Sequence, residues 1–239
     1  MFRIAMLATA VALAACGGGG GAAPAPVANV SAEGIWSGAG SNGVLISFVI
    51  LENGETWGLY GTSVSINGAL FGNTTTNGSS VSMSGSSFDF ISRVTDPGSL
   101  TGSVVSKSTL NVVSNLGTRL DAAYNASYDQ APSLAALAGT YFGQAVTDSI
   151  APQSASVTIS GTGAVSSIGT GCTTSGSVVP RPTGKNIFNI SLTSVGPSCA
   201  LGNGTVVTGI GYFNPATRQL IAMALNSAKS DGLVFSGIR

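Results

Sequence analysis

Apolar residues in this chain come in short bursts broken by Gly, Asn, Asp and Ser. They follow two patterns. Val44 to Leu51 reads VLISFVIL, an almost unbroken apolar run that fits a strand buried on both faces. Phe188, Ile190 and Leu192 instead alternate with Asn189 and Ser191, which fits a strand with one dry and one wet face. Strands are predicted at 44–51, 56–60, 69–75, 79–84, 88–94, 100–106, 110–114 and 120–128, after a first structured signal at Gly34-Ile35-Trp36-Ser37-Gly38. They resume at 140–146, 154–160, 164–168, 176–180, 187–193, 205–213, 219–226 and 233–236. The joints carry turn chemistry. Asn53-Gly54 predicts a type I′ hairpin, and Asn77-Gly78, Asp96-Pro97-Gly98 and Asn115-Leu116-Gly117 predict further turns. One segment breaks the pattern. Pro132 to Gly139 (PSLAALAG) predicts about two helical turns, with Ser133 as the cap, Leu134 and Leu137 on one face, and Gly139 as the stop.

Repeated strands with turns every 8–12 residues predict an all-β fold of antiparallel sheet, a small barrel or sandwich. A weak repeat divides it in two. Gly34-Ile35-Trp36-Ser37-Gly38 and Gly139-Thr140-Tyr141-Phe142-Gly143 share G-x-[WY]-x-G, 105 positions apart. Val44 to Leu51 aligns with Ser154 to Ser160, and Leu100-Thr101-Gly102 with Val207-Thr208-Gly209. The expected layout is two tandem modules, 32–130 and 131–239, joined by the short helix.

The N-terminus has another character. Arg3 precedes an apolar run from Ile4 to Leu13, then Leu13-Ala14-Ala15-Cys16 and five glycines. A run this short cannot span a bilayer, but it fits the core of a secretory signal. Residues 1–15 are read as that signal and 16–31 as a Gly/Ala/Pro tether behind a lipidated Cys16.

Composition narrows the function. Nine basic and nine acidic residues in 239, only 8% charged, give no electrostatic footprint for nucleic acid. Histidine is absent, which excludes Ser-His-Asp and Cys-His nucleophilic sites and His-ligated zinc. With Cys16 assigned to lipid, Cys172 and Cys199 are left as an even pair, read as a disulfide in an oxidising compartment. Gly38 to Gly43 spells G-x-G-x-x-G, but a strand follows where a dinucleotide site needs a helix, so it reads as a turn. Ser103 with Lys107 and Ser227 with Lys229 have the wrong spacing for S-x-x-K. Glu52 and Glu55 flank a hairpin tip, where solvation is expected. Aromatics at 7% are too few for the two girdles of a transmembrane barrel. Most aromatics read as core. Trp57, Tyr60 and Tyr212 are candidates to line a ligand cavity, and no cofactor or metal is implied.

Two resemblances attach to these motifs. L-A-A-C resembles a bacterial lipobox, in which the Cys receives a diacylglyceryl group and the new N-terminus is acylated. With ENGETWGLY, YDQAPSLAALAGTY, the 172–199 segment and ALNSAKSDGLVFSG, the chain resembles uncharacterised lipobox-bearing outer-membrane lipoproteins of betaproteobacteria. Gly17 after the Cys implies sorting to the outer membrane, with either side of it open. G-x-[WY] after a short helical piece resembles the first strand of calycin barrels (lipocalins and avidins), where the aromatic closes the barrel floor. The leading expectation is a non-catalytic lipoprotein with a structural, envelope-interaction or adhesion role, held to membrane and touching a protein partner. The alternative is a small-ligand carrier, and an envelope hydrolase comes last.

Overall fold

The structure, a computed structural model, describes residues 28–239. The expected signal, Cys16 and most of the expected tether lie outside the described residues. The remainder forms two closed antiparallel barrels of eight strands each. The first comprises β1 (Gly34–Gly40), β2 (Leu45–Ile50), β3 (Glu55–Gly61), β4 (Ile66–Asn77), β5 (Ser80–Asp89), β6 (Val94–Val105), β7 (Thr109–Ser114) and β8 (Arg119–Tyr124). A 3-10 turn, Ala126–Asp129, and the short helix α1 (Leu134–Leu137) lead to the second barrel. Its strands are β9 (Gly139–Thr147), β10 (Gln153–Ile159), β11 (Ala164–Gly169), β12 (Cys172–Pro180), β13 (Phe188–Val195), β14 (Thr205–Asn214), β15 (Gln219–Asn226) and β16 (Gly232–Ile238). Each barrel is up-and-down: every strand pairs with the next, and β1–β8 and β9–β16 close the two rings. Closure leaves neither sheet a free edge.

The three repeat matches fall on equivalent strands: β1 with β9, β2 with β10, and β6 with β14. The floors repeat as well. Trp36 Nε1 donates to the Ala32 carbonyl at 2.8 Å, and the Tyr141 hydroxyl donates to the Leu137 carbonyl at 2.6 Å. In each barrel, the first-strand aromatic ties down the segment four residues earlier, which plugs one end. Gly34 and Gly139 hold the same rare backbone angle, φ +153° and +150°, at this corner. Under the first barrel, Val30 donates to the Gly78 carbonyl and Gly78 to Asn29 Oδ1, so the chain is docked from Asn29 onward. Under the second, Ser133 caps α1 through the Ala136 amide, as its sequence predicts. Arg239 binds the carbonyls of Ala136 and Ala138 and lies over Tyr141 and Phe213.

Each barrel has an inner cluster. Trp36, Phe48, Ile50, Met83, Leu110 and Leu120 fill the lower part of the first, and Tyr141, Ile159, Phe188, Leu192, Val207 and Phe235 that of the second. A third cluster lies between the barrels, built from outward residues of both: Ile35, Val49, Trp57 and Phe88 against Ile210, Tyr212, Met223 and Val234. VLISFVIL is therefore apolar on both faces for a definite reason. Phe48 and Ile50 enter the lumen, while Val49 and Leu51 enter the seam. Polar contacts fix the seam. Glu52 takes a two-pronged bond from Arg181 (2.7 Å to Nη2), and Asp129 takes Lys107 at 2.9 Å and Lys185 at 2.7 Å. Ser47 and Tyr212 hydroxyls meet at 3.1 Å.

Several local expectations change. Residues 88–94 form the β5–β6 hairpin and not a strand of their own: Asp89 accepts from the amides of Ile91 and Ser92, and Arg93 takes φ +58°. Asp96-Pro97-Gly98 is not a joint but part of β6. There β6 runs beyond the end of β7 and pairs only with β5, so the amide that Pro97 lacks is not needed by a second ladder. The predicted strand 120–128 stops at Tyr124, where Asn125 caps the 3-10 turn. At Asn53-Gly54 the loop is a type I turn closed by a Gly54 bulge (φ +83°), and not type I′, because Asn53 keeps a negative φ. Glu52 and Glu55 are not simply solvated: Arg181 holds the first, and Trp57 Nε1 donates to the second at 2.6 Å.

Candidate ligand-binding lumen

The two plugs leave each barrel with one open end. In the first barrel a cavity of about 650 Å³ descends from that mouth. Phe48, Leu70, Met83, Leu100 and Leu120 line its apolar part; Tyr60, Ser87, Asp89, Asp96 and Asn115 line its polar part. No Lys or Arg is among the described lining residues.

The space has a backbone cause. Gly72, Gly85 and Gly98 sit opposite one another across β4, β5 and β6, all facing the lumen. A Cβ at Gly72 would run into the Ser84 carbonyl and one at Gly85 into the Phe71 carbonyl, so these two glycines mark where the wall bends sharply. Gly98 differs. A Cβ there would meet only Ser87, at 3.7 Å, so a side chain at this position projects into free lumen.

Strand parity separates the three aromatics singled out from the sequence. Tyr60 faces this lumen, with its hydroxyl 3.4 Å from Ser87 Oγ. Burial pushes its phenol above the ordinary range, partly opposed by that hydrogen bond. Trp57 lies on the opposite face of β3, inside the seam and edge-on to Phe71. Tyr212 also faces the seam, where burial pushes its phenol up to about 12. The structure thus brings only Tyr60 to a lumen. Cys172 and Cys199 are joined as a disulfide. It ties the β11–β12 turn to the 196–204 loop at the mouth of the second barrel. Cys16 lies outside the described residues.

Several charged side chains form structural pairs. Asp129, held by Lys185, Lys107 and the Tyr124 hydroxyl, has its carboxyl depressed to about 2. Arg181 beside Glu52 lowers that carboxyl. Lys107 is engaged by Asp129 and not by Ser103, and Lys229 lies over the Phe71 ring at 4.7 Å. Among the described residues, no group of three or more Cys, Asp or Glu side chains gathers as a metal site would require. The glycine row was missed in the sequence, although its members recur at regular spacing: 72, 85 and 98. No protein-family model, curated protein or solved structure matches the chain.

Proposed function

We propose that this chain is a non-catalytic, lipid-anchored outer-membrane lipoprotein whose N-terminal barrel carries a small amphipathic ligand. The carrying observation is the 650 Å³ lumen, inside the ~300–1,000 Å³ range of small-molecule sites. A barrel serving only as a spacer has no use for it, and eight strands suffice to enclose one small ligand. The lining sets the ligand class. A hydrocarbon part fits among Phe48, Leu70, Met83 and Leu120. A neutral or cationic polar end fits at the mouth beside Tyr60, Asp89 and Asp96, since the described lining residues include two carboxylates and no basic side chain. The aromatic floors support the calycin likeness. The L-A-A-C motif supports the anchor at Cys16, with a tether that sets the barrels off the lipid surface.

Native mass spectrometry of protein purified from host membranes tests this reading. The wild type retains an amphiphile, and Gly98→Leu, which projects a side chain into the lumen, loses it. An empty wild-type barrel, or equal retention by both, overturns the carrier reading.

A second reading rests on the groove between the barrels. Leu45, Val64, Phe142 and Ile238 are exposed apolar residues around it, 46% to 77% accessible. They favour the structural and envelope-interaction role, with a protein partner at that groove. Crosslinking on intact cells from Val64→Cys separates the two, since a partner captured there supports this reading and monomer alone opposes it.

A further inference from the structure

The second barrel also contains space, of another kind. A cavity of about 120 Å³ lies in its lumen. Its wall is apolar apart from two hydroxyl residues, and Ala145, Ala155, Val157, Val165, Ala222 and Leu233 are part of it. Only Ser167 and Thr174 bring hydroxyls, and Thr174 already pairs with Ser194 at 3.2 Å. A buried water needs two to four polar partners, so this wall favours a dry void.

Such a void costs stability in proportion to its volume, and cores normally shrink around it. Here the mouth is braced. The Cys172–Cys199 bond fixes the β11–β12 turn to the 196–204 loop, whose Leu201 packs on the inner cluster. Across the mouth, the Asp148 amide donates to Asp231 Oδ1 at 3.1 Å and links the β9–β10 and β15–β16 turns. The small residues stand on three strands, β9, β10 and β15. Ala145, Ala155, Val157 and Leu233 are half-buried, so the void opens toward the mouth and offers a way in.

We propose that the C-terminal barrel is a second binding site, for a small uncharged hydrocarbon group about the size of a benzene ring. Size sets the upper limit: an engineered apolar cavity of ~150 Å³ takes benzene or xenon. Chemistry sets the class. The wall offers no charge and no free row of donors, so it cannot hold the polar end of an amphiphile as the first lumen can. The two barrels therefore sort ligands by size and polarity.

The test uses the full mature chain with Cys16→Ser, which removes the need for detergent. Benzene is titrated while methyl resonances are followed. Saturable shifts are expected in Val157, Val165, Ile190 and Leu192, with Leu70 and Leu120 of the other barrel unmoved. Ala222→Leu fills the void and abolishes the shifts. Ala145→Val, a smaller change, weakens benzene binding about tenfold. Benzoate, equal in ring size but charged, leaves the resonances still. The proposal is overturned by the absence of saturable shifts, by shifts confined to the first barrel, by unchanged binding in both variants, or by benzoate binding as well as benzene.

Discussion

Ala222→Leu converts the void in the second barrel into a stability measurement. The side chain lies in the lumen between Gly211 and Phe235, its register partners on β14 and β16. Leucine adds three carbons to a site lined by half-buried apolar side chains. At about 0.8 kcal/mol per buried carbon this is worth about 2.4 kcal/mol. The void sets an independent ceiling: 120 Å³ at about 24 cal/mol per Å³ corresponds to about 3 kcal/mol. Ordering the new side chain costs about 0.5–1 kcal/mol, which leaves a net gain of about 1.5–2 kcal/mol. Equilibrium unfolding in urea reads it. At a slope of about 2 kcal/mol per M, the midpoint rises by roughly 0.8–1 M with the slope unchanged. A fall in the midpoint would mean that leucine overpacks the site, an error that typically costs 1–3 kcal/mol. The space inferred from the lining would then not be there.

Two other perturbations probe the frame. Replacing both Cys172 and Cys199 by Ala removes a bridge across 27 positions, and the chain-entropy argument gives a loss of about 3–4 kcal/mol in urea unfolding; a loss below about 1 kcal/mol would refute it. Asp129 has its carboxyl lowered by Lys185 and Lys107, so its contribution is full above the ordinary aspartate value and disappears as pH falls through about 2. Between pH 5 and pH 2 the wild type should lose up to about 1 kcal/mol that Asp129→Asn does not lose, a small amount because the pair is partly exposed. Equal acid sensitivity of the two proteins would show that the seam does not depend on this carboxylate.

The parts of the fold legible in the sequence were those written in local chemistry. Ser133 and Gly139 mark the joint, and G-x-[WY]-x-G marks both floors. Alternation at Phe188, Ile190 and Leu192 gives a strand with its dry face on the lumen. VLISFVIL showed that both faces were dry but not which face met which neighbour. That ambiguity carries over to the aromatics: Trp57, in the seam, and Tyr60, in the lumen, are three residues apart on β3, and the local sequence does not say which face meets which space. Tyr212 reads like a lumen residue only until its strand is paired. The lumen itself was illegible for a related reason. Gly72, Gly85 and Gly98 look like separate turn or packing glycines until register brings them into one row. Pro97 was misplaced because a proline in a strand makes sense only once the neighbouring strand is known to have ended.

The proposed carrier function requires the N-terminal lumen to hold an amphiphile. The chain supplies its own reporters. It has four methionines, and the proposed cleavage before Cys16 would leave Met83, in that lumen, and Met223, in the seam. Protein labelled with methyl-13C methionine therefore shows two methyl resonances, one for each environment. Titration with dodecylamine, below the concentration at which it forms micelles, should move Met83 saturably and leave Met223 in place. Gly98→Leu should remove the response. A stationary Met83, or a response carried by Met223 alone, would rule out ligand binding in this lumen.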